Sequence, residues 1–392
     1  MAEKQKLRVG VFGVGRMGRV HLEHLIQFVR TNEVEVVAIG DRDSATLRTA
    51  VQLAKGWIGK EYPLNWSLCD SPEMMAAQMP DAVVVASRTA DHAKDCLAFV
   101  SQSIPVLVEK PLANSIQEAI SFCQQLEQHQ QHLVQVAFQR HYDAATQLAG
   151  RWFDDGLIGE LQQSHHVLQD KNPTPPSYQS CGITADMAIH LVFEAMRFHR
   201  FQLPCYVQSL RFAAPFYPDL AGEGANIVHV FCTWPDSSVA HLWGSRINKT
   251  GYDNGFKLIG TQGRIDVGEF IGDFGDIHVK LWRGTGHDNS PRGHLADSRT
   301  FPMTKSGADA PDFYARFAAS YQAELRTFLE RVRLAEPLEI GLDIGWKTLL
   351  VANTAEASSR RNGLGFELAT PEGNPIVSLV DAEAFARQHS IQ

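Results

Sequence analysis

The chain has 392 residues, enough for two or three domains, and its 44% hydrophobic and 20% charged content is that of an ordinary soluble globular protein. Its formal net charge is −8, from 36 basic and 44 acidic side chains, and no basic block stands out. No cationic surface is therefore offered to nucleic acid or to an anionic membrane. Cys69, Cys96, Cys123, Cys181, Cys205 and Cys232 form no Cys-x-x-Cys pair and read as reduced thiols of a cytoplasmic protein. The stretch Met1–Lys6 leads directly into the first predicted strand, so no signal peptide is expected, and no apolar run approaches a membrane span.

The apolar run Leu7–Phe12 predicts a buried strand, followed at once by Gly13-Val14-Gly15-Arg16-Met17-Gly18 and a predicted helix over Arg19–Arg30. That order makes a phosphate site from backbone alone. Gly13 permits the tight turn, Gly15 lets the main chain approach a pyrophosphate, and Gly18 lets helix and strand pack closely. Backbone N–H groups at the helix start face the anion. Arg16 and Met17, inside the turn, are assigned to the same cofactor site. An ordinary glycine turn is the competing reading; the strand before, the helix after and an acid downstream weigh against it.

Further strands are predicted at Val34–Ile39, Ala82–Ala86, Pro105–Val108 and Leu133–Ala137, with one short strand somewhere in Gly56–Asp70. Helices are predicted near Ala45–Lys55, Ala90–Gln102 and Ser115–His129. This alternation implies an α/β Rossmann unit, a doubly wound parallel sheet with right-handed crossovers. Asp41 ends the second strand, 23 residues after Gly18, where a carboxylate receives ribose hydroxyls; capping the next helix is its competing role. An acid there favours NAD, while Arg42 beside it keeps NADP open. Ser87, Thr89 and His92 follow the Ala82–Ala86 strand and are assigned to the cofactor crevice, although His92 fits equally a satisfied histidine in a helix's first turn. The next strand ends at Glu109-Lys110-Pro111. Glu109 is assigned to the cofactor site, and Lys110 can face the nicotinamide. Oxidising an alcohol requires a base for the hydroxyl proton, and an amine serves where burial or a neighbouring cation brings its pKa toward neutrality.

From about residue 139 the rhythm changes. A helix over Asp143–Asp155 and an alternating strand over Leu161–Leu168 precede a Pro-rich loop, Asn172–Ser177, and a helix over Asp186–His199. Strands then follow in succession at Val207–Ala213, Ile227–Trp234, Ser238–Trp243, Phe256–Ile259, Ile265–Val267 and Ile277–Trp282. Such a run implies a large, mostly antiparallel sheet in an α+β domain. Residues 283–311 are rich in Gly, Pro, His and Asp and predict a long surface excursion. Helices over Phe313–Leu334 and Asp343–Arg361 are expected to return to the first domain. The expected division is 1–138 for the NAD(P)-binding domain, 139–369 for a substrate-binding and oligomerisation domain, and 370–392 for a C-terminal tail. No metal site is expected: His165 and His166 are adjacent strand residues facing opposite sides, and no Cys/His framework exists.

Gly13-Val14-Gly15-Arg16-Met17-Gly18, Glu109-Lys110-Pro111-Leu112 and Asp186-Met187-Ala188-Ile189-His190, in this order, resemble the glucose–fructose oxidoreductase/inositol dehydrogenase/rhizopine catabolism (Gfo/Idh/MocA) family. The likeness is to its inositol 2-dehydrogenase branch in particular, where the loop Asn172–Tyr178 has its counterpart; it runs over roughly residues 7–365. The resemblance implies that Lys110, Asp186 and His190 handle the proton of the reacting hydroxyl. Asp186 and His190, four apart, occupy one helical face. It further implies substrate contacts from Asn172 and Tyr178, and Arg140 and Tyr142 are placed along the same pocket. Two positions depart from the family: Cys181-Gly182 stands where many relatives have paired glycines, and where many carry an aspartate three residues after the helix histidine, this chain has Phe193, followed by Glu194. That shift turns a carboxylate by about 100° around the helix.

The resulting expectation is an NAD-dependent dehydrogenase, with NADP possible, that oxidises a secondary hydroxyl of a polyol substrate, an inositol-like cyclitol or a sugar, to a ketone. A homodimer or homotetramer is expected, with no nucleic-acid or membrane partner. Two other readings stay open at this point. One is a redox-neutral sugar-modifying enzyme with tightly held NAD, and the other is a non-catalytic NAD-binding regulator.

Overall fold

A computed structural model of the chain describes residues 6–59, 65–170, 182–214, 225–268, 276–284, 293–303 and 312–391. The chain divides into two compact units, Met1–Gln139 with Tyr321–Trp346, and Arg140–Ser320 with Lys347–Gln392.

The first unit alternates β1 (Leu7–Phe12), α1 (Arg16–Arg30), β2 (Val34–Gly40), α2 (Ser44–Ile58), β3 (Ser67–Cys69), α3 (Pro72–Ala76), β4 (Ala82–Val85), α4 (His92–Val100), β5 (Val106–Glu109), α5 (Ile116–Gln125), α6 (Gln128–Gln131) and β6 (Val134–Ala137). All six strands are parallel in the order β3-β2-β1-β4-β5-β6. Parallel strands covered on both faces read as continuous apolar runs, as β4 (Ala-Val-Val-Val, wholly buried) does. The core joins β1, β2 and β4 to α1 and α2, with Leu325, Phe328 and Leu329 of the returning segment packed into it. Strand order reverses beside β1, which places the carboxyl ends of β1 and β4 at the topological switch point where dinucleotides bind.

The second unit contains α7 (Ala144–Asp154), β7 (Leu161–Gln169), a π-helical turn (Thr184–Ala188) running into α8 (Ile189–Phe198), and strands β8 (Tyr206–Phe212), β9 (Ile227–Thr233), β10 (Val239–Ser245), β11 (Asp253–Gly260), β12 (Gly263–Val267), β13 (Ile277–Arg283) and β14 (His294–Phe301). Helices α9 (Asp312–Leu334) and α10 (Leu342–Arg360) follow, then β15 (Phe366–Glu367) and α11 (Leu379–His389). Nine strands form one sheet in the order β14-β13-β12-β11-β7-β10-β9-β8-β15. Among the described residues, β7–β10 is the one parallel pair of this sheet. A core of Ala145, Ala149, Trp152, Phe198 and the inward residues of β11, β12 and β13 lies on one face of this sheet.

The excursion predicted over 283–311 is corrected in part: β14 lies within it and pairs antiparallel with β13. Its eight residues are almost all exposed, so no buried face imposed an alternating pattern on the sequence. Among the described residues, no helix is long and apolar enough to cross a membrane.

Candidate functional site

The glycine turn lies between β1 and α1. Gly13 has φ +86°, and a Cβ there would sit 2.2 Å from the Ser87 backbone nitrogen. A Cβ on Gly18 would lie 1.8 Å from the Gly13 carbonyl oxygen, so α1 approaches the turn more closely than any side chain allows. At Gly15 a Cβ would meet nothing within 4 Å, which leaves the backbone open to a ligand. Gly15 is also the N-cap of α1, with no side-chain cap and no acid in the first turn. Helices α2, α5, α7 and α11, by contrast, are capped by Asp43, Ser115, Asp143 and Ser378. A helix start stripped of its side-chain acceptor, beside an open backbone, has N–H groups to give to a pyrophosphate. Arg16 is exposed and Met17 half-buried on the first turn of the same helix.

Asp41 stands at the end of β2 with both carboxylate oxygens engaged by backbone: Val14 N–H donates to Oδ2 at 2.9 Å and Asp43 N–H to Oδ1 at 2.9 Å. The carboxylate is thus tied to the glycine turn itself, and Asp43, not Asp41, caps α2. Arg42 donates to Asp95 through both terminal nitrogens, at 3.0 and 2.5 Å, and the Ser87 hydroxyl donates to the same carboxylate at 2.6 Å. The guanidinium also lies over the Phe12 ring, 5.2 Å from its centroid. Asp95 is fully buried and was not singled out in the sequence; a lone acid on an amphipathic helix carries no signal of the partner it will meet.

His92 is 1% exposed, with Nδ1 2.9 Å from the Pro111 carbonyl and Nε2 3.1 Å from the Ser87 carbonyl. Burial lowers its pKa despite the two carbonyls. It bridges the ends of β4 and β5 behind Ser87, in the first turn of α4. Thr89 opens the short 3-10 turn before α4. A surface groove of about 540 Å³ between α4 and α5 includes Thr89 and none of the glycine turn, so it is not the cofactor cradle.

Glu109 is buried at the end of β5, and its Oε1 lies 2.7 Å from His21 Nε2 of α1. Burial pushes its pKa up, but the His21 hydrogen bond and the charges of His21 and Lys110 outweigh it and hold the carboxyl below its usual range. Lys110 follows, half-buried, joined to Pro111 through a cis peptide. Glu109 therefore braces the strand end that presents Lys110.

In the second unit, Asp186 lies on the π-helical turn and His190 one turn on in α8, 9% exposed. Arg246, just past β10, donates through Nη2 to Asp186 Oδ2 at 2.9 Å. Arg246 was not anticipated, because a lone arginine after a strand has no spacing relation to a helix more than fifty residues earlier. Phe193 is 1% exposed and packs edge-on to His141 at 6.1 Å. Glu194 is equally buried; its Oε1 accepts from Arg140 Nη1 at 3.3 Å and its Oε2 lies 3.5 Å from His166 Nδ1. The carboxylate one residue past Phe193 is thus committed to a buried charge pair. Arg140, assigned by the sequence to a substrate pocket, is 2% exposed and also reaches the Tyr252 hydroxyl at 3.1 Å. Burial pushes that hydroxyl's pKa up to about 12. Tyr142 is 9% exposed against His141, and Asn172 and Tyr178 lie outside the described residues.

Residues 7–138 match the Gfo/Idh/MocA family, an oxidoreductase family with an NAD-binding Rossmann fold. The chain is similar to an inositol 2-dehydrogenase of Arthrobacter sp. (strain FB24), 27% identical over 362 residues that make up 92% of this chain and 95% of the relative. It is also similar to the scyllo-inositol 2-dehydrogenase (NAD(+)) of Bacillus subtilis (strain 168), 26% identical over 93% of this chain and 97% of that one. The myo-inositol dehydrogenase of Lactobacillus casei, solved in complex with NAD(H) and myo-inositol, shares the fold: TM-score 0.70 and 20% identity, covering 92% of this chain and 96% of that one. Residues 7–138 thus form an NAD-binding Rossmann unit of the Gfo/Idh/MocA oxidoreductase type, with NAD as its cofactor, and the chain is similar over nearly its full length to inositol 2-dehydrogenases.

Proposed function

We propose that the protein is an NAD-dependent dehydrogenase that oxidises a secondary hydroxyl of a cyclitol, or of a sugar, to a ketone. The observation that carries this reading is the full-length likeness to inositol 2-dehydrogenases, joined to a glycine turn whose helix start is left uncapped. Bound NAD supplies the hydride acceptor. The Gly15 backbone and the first N–H groups of α1 would hold its pyrophosphate, and Asp41 its adenosine ribose. The residues fit that group: a Cβ on Gly15 would meet nothing within 4 Å, and no side chain caps the start of α1.

Oxidation also removes a proton from the hydroxyl oxygen, and that task falls to side chains. Lys110, Asp186 and His190 are the proposed set. His190 hydrogen-bonds the reacting hydroxyl, and Lys110 takes its proton or balances its charge as it leaves. Asp186 orients the histidine or the substrate. Phe193 supports a substrate with one polar contact fewer than the family pattern supplies, because a site lacking that acceptor gains nothing from a hydroxyl at that point. Expected substrates are therefore cyclitols or sugars that differ from myo-inositol in the hydroxyl that the family's aspartate would bind.

The test is turnover by the pure protein, with NAD and NADP offered separately to a panel of inositols, aldoses and acyclic polyols. Reduced nicotinamide together with a product two hydrogens lighter is the expected result. No turnover across the panel, with NAD binding intact, would remove the dehydrogenase reading.

A further inference from the structure

Asp186 is held in a way that its motif does not require. It stands on the π-helical turn Thr184–Ala188, a geometry that occurs mostly as short insertions at functional sites. Two anchors fix that turn. At its start the Thr184 N–H donates to Glu356 Oε2 at 3.2 Å, and Glu356 is itself paired with Arg360 at 2.8 Å and Arg211 at 3.5 Å. At Asp186 the anchor is Arg246, whose Nη2 donates to Oδ2 at 2.9 Å. Arg246 is 7% exposed and the Asp186 side chain 13% exposed, so water competes little for either partner. Glu356 acts on the backbone of the turn and Arg246 on the Asp186 carboxylate.

We propose that Arg246 is a positioning residue for the reaction: it holds one oxygen of Asp186 and so fixes the direction in which the other is presented. The inference rests on the proposed dehydrogenase reading for its kinetic consequences, though not for the geometry. An aspartate's terminal torsion is broad and roughly two-fold, so a carboxylate without such a partner samples a range of directions. A charge-assisted hydrogen bond from a planar guanidinium narrows that range at little further entropic cost, because the fork is already rigid. Asp186 lies on the π-helical turn and His190 one turn on in α8, so a redirected carboxylate should also register at the imidazole.

The test is a double-mutant cycle of Arg246→Met and Asp186→Asn, with Arg246→Lys as the conservative variant. In turnover, Arg246→Met should lower kcat by about 10- to 100-fold, the size of one charge-assisted hydrogen bond, and leave the KM for NAD unchanged. In the Asp186→Asn background the same change should cost less than about threefold, because the group Arg246 acts on is already lost. Arg246→Lys should restore part of kcat. Independent, multiplicative losses would overturn the proposal, as would Arg246→Met that melts earlier while keeping wild-type kcat.

A second readout needs no turnover: the ring-nitrogen NMR shifts of His190 in the full chain. Arg246→Met should move them as Asp186→Asn does, and should add nothing in the double variant. Unmoved shifts in Arg246→Met would overturn the positioning role even in an active enzyme. Moved shifts with no turnover by the wild type would instead leave the positioning role standing and remove the dehydrogenase reading.

Discussion

Arg42 grips Asp95 with both terminal nitrogens, and Asp95 at the same time accepts the Ser87 hydroxyl. This bears directly on cofactor choice. A guanidinium beside the acid proposed to hold the ribose is the group that would accept a 2′-phosphate, and here it is paired with a buried carboxylate. NAD should bind more tightly than NADP to the wild type. Asp95→Asn removes the competing charge, and the ratio of NADP to NAD affinity should rise by about tenfold, read by separate titrations of the two reduced cofactors. An unchanged ratio would mean that Arg42 does not reach the 2′ position.

Gly15 and Gly18 separate ligand binding from folding. Gly15→Ala introduces a Cβ that meets no protein atom within 4 Å. Its stability cost should stay near that of an unfavourable N-cap, about 1 kcal/mol or less, while NAD affinity falls by at least about tenfold. Gly18→Ala puts a Cβ 1.8 Å from the Gly13 carbonyl oxygen and should destabilise the whole unit. Melting curves with and without NAD distinguish the two; a Gly15→Ala protein that binds NAD normally would contradict the cradle.

His199 gives the second unit an acid-sensitive point. It stacks on Trp234 at 3.5 Å between centroids, and burial lowers its pKa to about 4, with His166 adding to the fall and Asp236 opposing it. The folded value lies below the unfolded one, so between about pH 6.5 and 4 the unfolded chain binds more protons. Stability is full above that window and falls as the pH drops through it, by an amount of order 1–3 kcal/mol. His24 in the first unit, with its pKa lowered to about 4 by burial and by His21, acts in the same direction. His199→Phe keeps a ring against Trp234 but cannot titrate, so its urea midpoint should depend less steeply on pH between these limits. An undiminished slope would exclude His199 as a contributor.

Glu109 is buried, with His21 2.7 Å away and Lys110 next in sequence. Glu109→Gln keeps the shape and removes the charge, which should cost about 1–3 kcal/mol in urea unfolding. The cost should shrink under acid conditions, because the depressed folded pKa makes this contribution one that disappears as pH falls through it. A pH-independent cost would assign Glu109 a packing role only.

The Rossmann half was legible because its strands are covered on both faces. β1, β2, β4, β5 and β6 appear as apolar runs within a residue or two of their observed limits, and even β3 fell inside its predicted interval. The sheet of the second unit was legible where one face is buried, as in β9 and β10, and not in β14, whose exposed residues carry no period. Motif residues such as Gly13, Lys110 and His190 could be singled out as candidates because each sits at a fixed offset from a glycine, proline or acid. Asp95, His21 and Arg246 could not, since their roles come from partners separated by 53, 88 and 60 positions. Long-range pairing leaves no local spacing to find.

The most direct measurement follows the hydrogen itself. The protein would be given NAD and an inositol deuterated at every ring carbon, and the reduced cofactor examined by NMR. Carbon-bound deuterium on the nicotinamide ring, appearing in step with an inosose product and absent with Lys110→Ala, is the predicted result. Reduced cofactor without deuterium, or the same label in Lys110→Ala at the wild-type rate, would contradict the proposed reaction and the role of Lys110 respectively.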